Sequence, residues 1–178
     1  MKKTILCLCL ITLLSTVSWG EVGDVIKVIK TPGPCPTGLA FDGKHLWLAD
    51  NFTARIYKID PETGSVLSSF ESPGHHPEGL AWDGKYLWHV DSGEKLVYKL
   101  DPDTGRALSI LESNSPNPRD LAWDGEYLWI ADLGGDTLIK VSTVDGMMVQ
   151  TFPAPAGESA GLTFDGSVGG RSFCNLLK

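Results

Sequence analysis

Apolar residues in this chain come in short runs that are separated by turn-forming residues. GLAFD at 38–42 stops before Gly43, and HLWLAD follows at 45–50. RIYKID at 55–60 alternates apolar and polar positions, and SVLSSFES follows the turn sequence PETG. Asp-Gly and Pro-x-Thr-Gly both suit tight turns between antiparallel strands. The pattern therefore predicts four short β-strands, and no segment here shows helical spacing.

The same four-strand pattern is repeated along the chain. GLAFDG at 38–43 returns as GLAWDG at 79–84, DLAWDG at 120–125 and GLTFDG at 161–166, at intervals of 41 residues. Repeats of about 40–45 residues with four strands are typical of β-propeller blades, whereas solenoid repeats are shorter. The sequence therefore predicts an all-β propeller with three complete blades, at about 36–74, 77–113 and 118–152, and a partial fourth at 161–178.

The two ends of the repeat array leave the closure of the ring open. Residues 24–34 resemble the fourth strand of the unit, which predicts an outer strand there. After Gly166 the pattern stops, and the chain continues as SVGGRSFCNLLK. We expect the front part of a longer, truncated propeller, with a four-bladed ring as the alternative. An open arc would expose an apolar blade face at each end and favour self-association.

Residues 1–20 have the form of a secretory signal peptide: two lysines, the apolar run ILCLCLITLL and small residues before the end. We expect cleavage to leave a mature domain, 21–178, that is secreted or periplasmic. Removal of Lys2 and Lys3 leaves 13 basic against 22 acidic residues, a formal charge of −9. Such an acidic surface disfavours nucleic acid as a partner. No other segment is apolar enough to span a membrane.

Residues that recur in register are expected to build the blades. An aspartate before each Asp-Gly glycine is expected to hold a turn, and another ends each second strand, where it would accept backbone N–H groups. A cation held by a ring of the second set is the alternative. The recurring aromatic residues are expected to be wedges between blades. These three sets are Asp42, Asp83, Asp124 and Asp165; Asp50, Asp91 and Asp132; and Trp47, Trp88, Trp129, Phe41, Trp82, Trp123 and Phe164.

Function is expected where register is kept and residue identity changes. The loop that enters each first strand carries dissimilar polar residues, and the loop between the second and third strands opens on the same side. We call these two sets of loops the rim, because they surround one mouth of the predicted channel. Binding residues often lie on such loops. The ligand-binding candidates are Cys35, Thr37, His76, Glu78, Asn117, Arg119 and Glu158, with Asn51, Phe52, Thr53, Ser92, Glu94, Leu133 and Asp136 on the second set.

The blade framework resembles the bacterial exported β-propellers of the NHL, YVTN and streptogramin-lyase-like superfamily. The motifs GLAFDGKHLWLAD and RIYKIDPETG carry this resemblance, which extends over residues 36–166. It implies a propeller fold, and its members range from binding scaffolds to lactonases and metal-assisted lyases. The lyase-like members use a histidine and a metal ion on the rim, which would correspond here to His76, with Glu78 nearby. Their other catalytic residues lie on later blades that this chain does not show.

The leading hypothesis is a noncatalytic binding or scaffold module that presents its rim to a protein, peptide or glycan, with no cofactor. The alternative is a metal-assisted lyase or lactonase with a divalent cation at His76 and Glu78. A structural fragment that works after assembly with another chain is a third interpretation. His89 replaces Leu48 and Ile130 and is expected to be a hydrogen-bonded core residue. A disulfide between Cys35 and Cys174 stays open.

Overall fold

The computed structural model describes residues 24–154 and 160–164, which form three four-stranded antiparallel sheets. Each sheet is one blade, and its strands follow one another in chain order. The predicted all-β fold with three complete blades is confirmed. The strands are β1 (Pro36–Phe41), β2 (Leu46–Asp50), β3 (Arg55–Ile59), β4 (Val66–Glu71), β5 (Pro77–Trp82), β6 (Leu87–Asp91), β7 (Leu96–Leu100), β8 (Ala107–Glu112), β9 (Pro118–Trp123), β10 (Leu128–Asp132), β11 (Thr137–Val141) and β12 (Met148–Pro153).

Each blade has two distinct ends because its hairpin turns alternate in direction. The base, as we call one end, carries the Asp-Gly turn and the turn between the third and fourth strands, which is Pro-x-Thr-Gly in the first two blades. Gly43 in the first of these turns has φ 92°, and Gly64 in the second has φ 73°, conformations that favour glycine. The rim lies at the opposite end, where β1, β5 and β9 begin and where β2, β6 and β10 finish.

Neighbouring blades are held together by apolar faces. Between the first two blades, Trp47 and Ile56 pack with Leu80, Leu87, Tyr98 and Leu100 in one buried cluster. The equivalent cluster between the second and third blades contains Trp88, Val97, Leu121, Leu128 and Ile139. Burial of large apolar side chains stabilises each junction by roughly 1.5–3 kcal/mol per residue. The second strands are consequently buried on both faces.

The innermost strands approach one another closely. A Cβ atom added to Gly38 would lie 2.1 Å from the carbonyl oxygen of Glu78, on the next blade. A Cβ atom added to Gly79 would lie 2.4 Å from the Cα of Asp120. Side chains at these glycine positions would force the blades apart. The glycine that opens GLAFDG and GLAWDG therefore sets the spacing between blades.

The aromatic wedges are confirmed in all but one of the described positions. Trp47, Trp88 and Trp129 are buried, while Trp82 and Trp123 pack against the junction clusters. Phe41 does not act as a wedge, because 54% of it is exposed. The face of the first blade that carries Phe41 has no blade against it in the part of the chain that the structure describes. The sequence prediction for Phe41 is therefore wrong in this structure.

The turn role of the Asp-Gly aspartates is confirmed, and the structure adds a second role. In the second blade, Asp83 accepts N–H groups of Lys85 and Tyr86 with one oxygen. Its other oxygen accepts the indole N–H of Trp88 at 2.7 Å. Asp42 holds Trp47, and Asp124 holds Trp129, in the same way. We call this arrangement the Asp–Trp clamp. Asp165 lies outside the described residues.

The ring is not closed in the described part of the chain. Leu162 and Phe164, at the start of the fourth copy, pack against Ala122 and Trp129 of the third blade. Residues 24–34 lie outside every sheet, and Lys27 forms an ion pair with Glu62 at the base of the first blade. The outer strand predicted at 24–34 would pair with a last blade beyond the described residues, so it stays a prediction. The signal peptide at 1–20 also lies outside them. Among the described residues there is no helix that could cross a lipid bilayer.

Candidate functional site at the rim

The aspartates that end β2, β6 and β10 shape the rim. Each is buried, and each accepts backbone N–H groups from the loop that enters its blade and from the loop that follows it, as predicted. Asp91, for example, accepts the N–H of His76 at 2.6 Å and that of Glu94 at 2.7 Å. Asp50 binds Cys35 and Thr53 in the same way, and Asp132 binds Asn117 and Gly135. These bonds fix the backbone of both rim loops in each blade.

The cation alternative for these aspartates gains no support. Their carboxylate oxygens already accept hydrogen bonds within their own blades. Within residues 24–154 and 160–164, no group of three or more His, Cys, Asp and Glu side chains is arranged to hold a metal ion. A metal site needs several such ligands to converge on one point.

Glu78 and Arg119 form the centre of the rim. They occupy the same position in successive copies, and Nη1 of Arg119 lies 3.1 Å from Oε1 of Glu78. The same oxygen accepts hydrogen bonds from Asn51 Nδ2 at 3.3 Å and from Ser92 Oγ at 3.2 Å. Asn51 belongs to the first blade, Ser92 to the second and Arg119 to the third. Residues of three blades therefore converge on one carboxylate oxygen.

Burial outweighs the ion pair in its effect on the pKa of Glu78. Burial raises the pKa of Glu78, while the neighbouring Arg119 guanidinium and the Ser92 hydroxyl act in the opposite direction. Arg119 Nε is buried and has no hydrogen-bond partner within the described residues. A buried N–H without an acceptor costs about 1–3 kcal/mol. The guanidinium thus has one edge that is engaged by Glu78 and one that is not.

Asp120 is a rim residue that the sequence analysis missed. It stands where the other copies have Gly38, Gly79 and Gly161. Its two carboxylate oxygens accept the N–H groups of Leu121 and Leu162, both at 2.8 Å. Burial raises the pKa of Asp120 to about 7, with a smaller contribution from the charge of Glu78. The sequence contains a signal for this residue, because Asp120 is an aspartate at a position where the other copies have glycine.

The other candidates are distributed around the same mouth without joining Glu78. Thr37 donates its hydroxyl to the carbonyl of Pro77 at 2.7 Å and so links the first two blades. Cys35 is exposed, and no disulfide partner for it lies within residues 24–154 and 160–164. His76 is exposed, and its ring lies beside Gly93. Asn117 is half-buried. Glu158 and Cys174 lie outside the described residues, so their roles stay predictions.

The prediction that His89 is a hydrogen-bonded core residue is confirmed. Its side chain is fully buried, Nε2 lies 2.9 Å from Ser72 Oγ, and its ring stacks on that of Tyr98. Burial lowers the pKa of His89 to about 4, so the imidazole is neutral at physiological pH. This histidine belongs to the junction between blades and not to the rim.

Comparison with known proteins supports the architecture. No protein-family model matches the chain, and no curated protein matches its sequence. Among solved structures, virginiamycin B lyase from Staphylococcus aureus is similar, with a TM-score of 0.57 and 18% identity over 81% of this chain and 50% of the lyase. The WD40 repeats of RRP9 give a TM-score of 0.59 and 20% identity, over 77% of this chain and 43% of that chain. Hydrazine synthase from Kuenenia stuttgartiensis gives 0.57 and 18%, over 76% and 40%.

The chain has the fold of a β-propeller. It spans half or less of the length of these solved chains. At identities of 20% or below, the likeness concerns the fold of the propeller and not its activity. One of these propellers is a lyase and another is a set of WD40 repeats, so the function of the present propeller has to be argued from its own rim.

Proposed function

We propose that this protein is an exported, noncatalytic β-propeller that binds a protein, peptide or glycan through its rim, with no cofactor. Export is proposed on the signal-like sequence of residues 1–20. We place the binding surface at the rim because its polar residues differ between copies, while the base repeats the same framework in every described blade. A rigid scaffold with variable loops at one end is suited to recognition.

The observation that carries the proposal is the convergence of Asn51, Ser92 and Arg119 on Glu78. Their hydrogen bonds hold four side chains of three blades in one arrangement before any ligand arrives. Affinity depends strongly on such preorganisation, because less conformational entropy is then lost on binding. Arg119 keeps about a third of its side chain exposed, so part of this cluster stays accessible to a ligand.

A metal-assisted lyase or lactonase would need a different arrangement. Such a site requires a positioned base beside a metal ion with an open position. Glu78 is instead engaged by Arg119, while the ring of His76 lies beside Gly93. The pairing supports a binding role for Glu78 more than a role as a metal ligand.

Arrays of peptides and glycans, probed with the purified chain, would test this proposal. Arg119→Ala removes the central guanidinium, and Arg106→Ala is the matched control because Arg106 is exposed at the base. We expect array signals that fall at least tenfold in Arg119→Ala and are unchanged in Arg106→Ala. Signals that fall equally in both variants, or no signal on either array, would contradict a binding function at the rim.

A further inference from the structure

We propose that the rim binds a neutral glycan, through vicinal hydroxyl groups held by Glu78 and Arg119 and a sugar face stacked on Phe52. This inference rests on the proposed binding function and names the ligand class.

The charge balance favours an uncharged ligand. Glu78 and Arg119 neutralise each other across 3.1 Å, so neither offers a full unpaired charge to a partner. Asp120 accepts two backbone N–H groups and is therefore already engaged on both oxygens. An ammonium or carboxylate ligand would have to compete with the existing ion pair. A neutral polar ligand adds hydrogen bonds without breaking it.

One acceptor oxygen of Glu78 and one donor nitrogen of Arg119 take no part in the hydrogen bonds of this cluster. Arg119, Asn51 and Ser92 all bond to Oε1 of Glu78, which leaves Oε2 for a further donor. On the guanidinium, Nη1 bonds to Glu78 and Nε is buried, so Nη2 is the nitrogen left to donate to a ligand. A hydroxyl group both donates and accepts hydrogen bonds. Two adjacent sugar hydroxyls could therefore donate to Glu78 and accept from Arg119.

Phe52 supplies the apolar part of the site. It follows Asn51, whose amide contacts Glu78, and 79% of it is exposed. An exposed aromatic ring on a loop whose backbone is fixed by Asp50 offers a flat apolar surface next to polar groups. Ligand sites commonly combine such a ring with a few placed polar groups. The apolar face of a pyranose ring fits this combination.

Calorimetric titration with neutral hexasaccharides tests the inference directly. The probes are laminarihexaose, cellohexaose, mannohexaose and chitohexaose, with hexalysine and hexaglutamate as charged comparisons. We expect at least one hexasaccharide to bind and neither charged peptide to bind. Phe52→Ala and Glu78→Gln should each weaken that binding at least tenfold. The controls Val144→Ala and Glu126→Gln, at exposed positions of the base, should leave it unchanged.

The outcomes separate this inference from the proposed function. Binding of a charged hexapeptide that depends on Arg119, with no hexasaccharide bound, would overturn the glycan inference and leave a rim-binding function standing. Hexasaccharide binding that survives both Phe52→Ala and Glu78→Gln would also overturn it. Phe52→Ala keeps the test decisive if Glu78→Gln unfolds, because an exposed ring contributes little to the fold.

Discussion

The imidazole Nε2 of His89 lies 2.9 Å from the hydroxyl oxygen of Ser72, across the junction between the first two blades. The other ring nitrogen, Nδ1, is buried and has no hydrogen-bond partner within the described residues. Asp91 is the acidic group whose charge acts on this ring, and Glu94 reaches the neighbouring Tyr98. The equivalent positions in the other blades are Leu48 and Ile130. This junction therefore contains a neutral, buried histidine where its counterparts are aliphatic.

We expect His89 to make the fold sensitive to acid. Its pKa is about 4 in the folded protein and 6.5 in the unfolded chain, so the unfolded chain binds the proton more readily. The contribution of His89 to the free energy of unfolding is fully present above about pH 6.5. It is lost as the pH is lowered toward 4, by about 3 kcal/mol. His89→Leu should remove this part of the pH dependence of the melting temperature. An unchanged pH profile in His89→Leu would contradict the assignment.

Asp120 should have the opposite pH dependence. Its pKa is raised from 3.8 to about 7, so the folded protein keeps a proton that the unfolded chain loses. The free energy of unfolding should therefore decrease as the pH rises from 4 to 7, by about 2–4 kcal/mol. In Asp120→Gly, which restores the residue of the other copies, this decrease should disappear. Melting temperatures of both proteins between pH 4 and 8 provide the measurement, and parallel curves would count against it.

The Asp–Trp clamp and the rim should respond differently to truncation of a side chain. Trp88 is fully buried and is bonded to Asp83, so Trp88→Ala should lower the free energy of unfolding by about 3–5 kcal/mol. His76 is exposed, and His76→Ala should lie within about 0.5 kcal/mol of the unmodified protein. Urea titration of both variants would measure this difference. Equal destabilisation would show that His76 supports the fold.

Divalent cations should leave the melting temperature nearly unchanged. A site occupied at 100 times its dissociation constant adds about 2.7 kcal/mol, which a thermal scan detects easily. Scans with Mg²⁺, Ca²⁺, Mn²⁺ and Zn²⁺ in turn would provide the measurement. A metal-dependent increase that disappeared in both His76→Ala and Glu78→Ala would instead favour the lyase or lactonase alternative.

The uncovered face of the first blade should promote self-association. Leu39 is 60% exposed, whereas the equivalent Leu80 and Leu121 are each 2% exposed beneath a neighbouring blade. Phe41, on the same face as Leu39, is 54% exposed. Replacing both Leu39 and Phe41 by serine should reduce association, because apolar surface no longer needs to be covered. Sedimentation velocity across a concentration series would measure it. The control is Val144→Ser, at an exposed position of the base.

The repeat made most of the fold predictable and only part of the site. Strands and blades followed from local alternation and turn chemistry, which the 41-residue period repeated three times in register. Pairing of Glu78 with Arg119 was not predicted, although both were candidates, because their contact depends on how closely adjacent blades approach. The exposure of Phe41 was missed for a related reason. Its burial requires a neighbouring blade, and the motif itself is the same whether or not one is present.

The Asp–Trp clamp lies wholly inside one repeat, because Trp88 follows Asp83 by only five positions. Each 41-residue unit therefore carries the means to close its own first hairpin. Recombination between copies of the gene segment could add or delete a whole unit without separating the partners of any clamp. The rim loops, at the other end of the blade, would be added or deleted together with the unit. A lineage built on this unit could diversify its recognition surface by shuffling copies, while the framework of each one stayed intact.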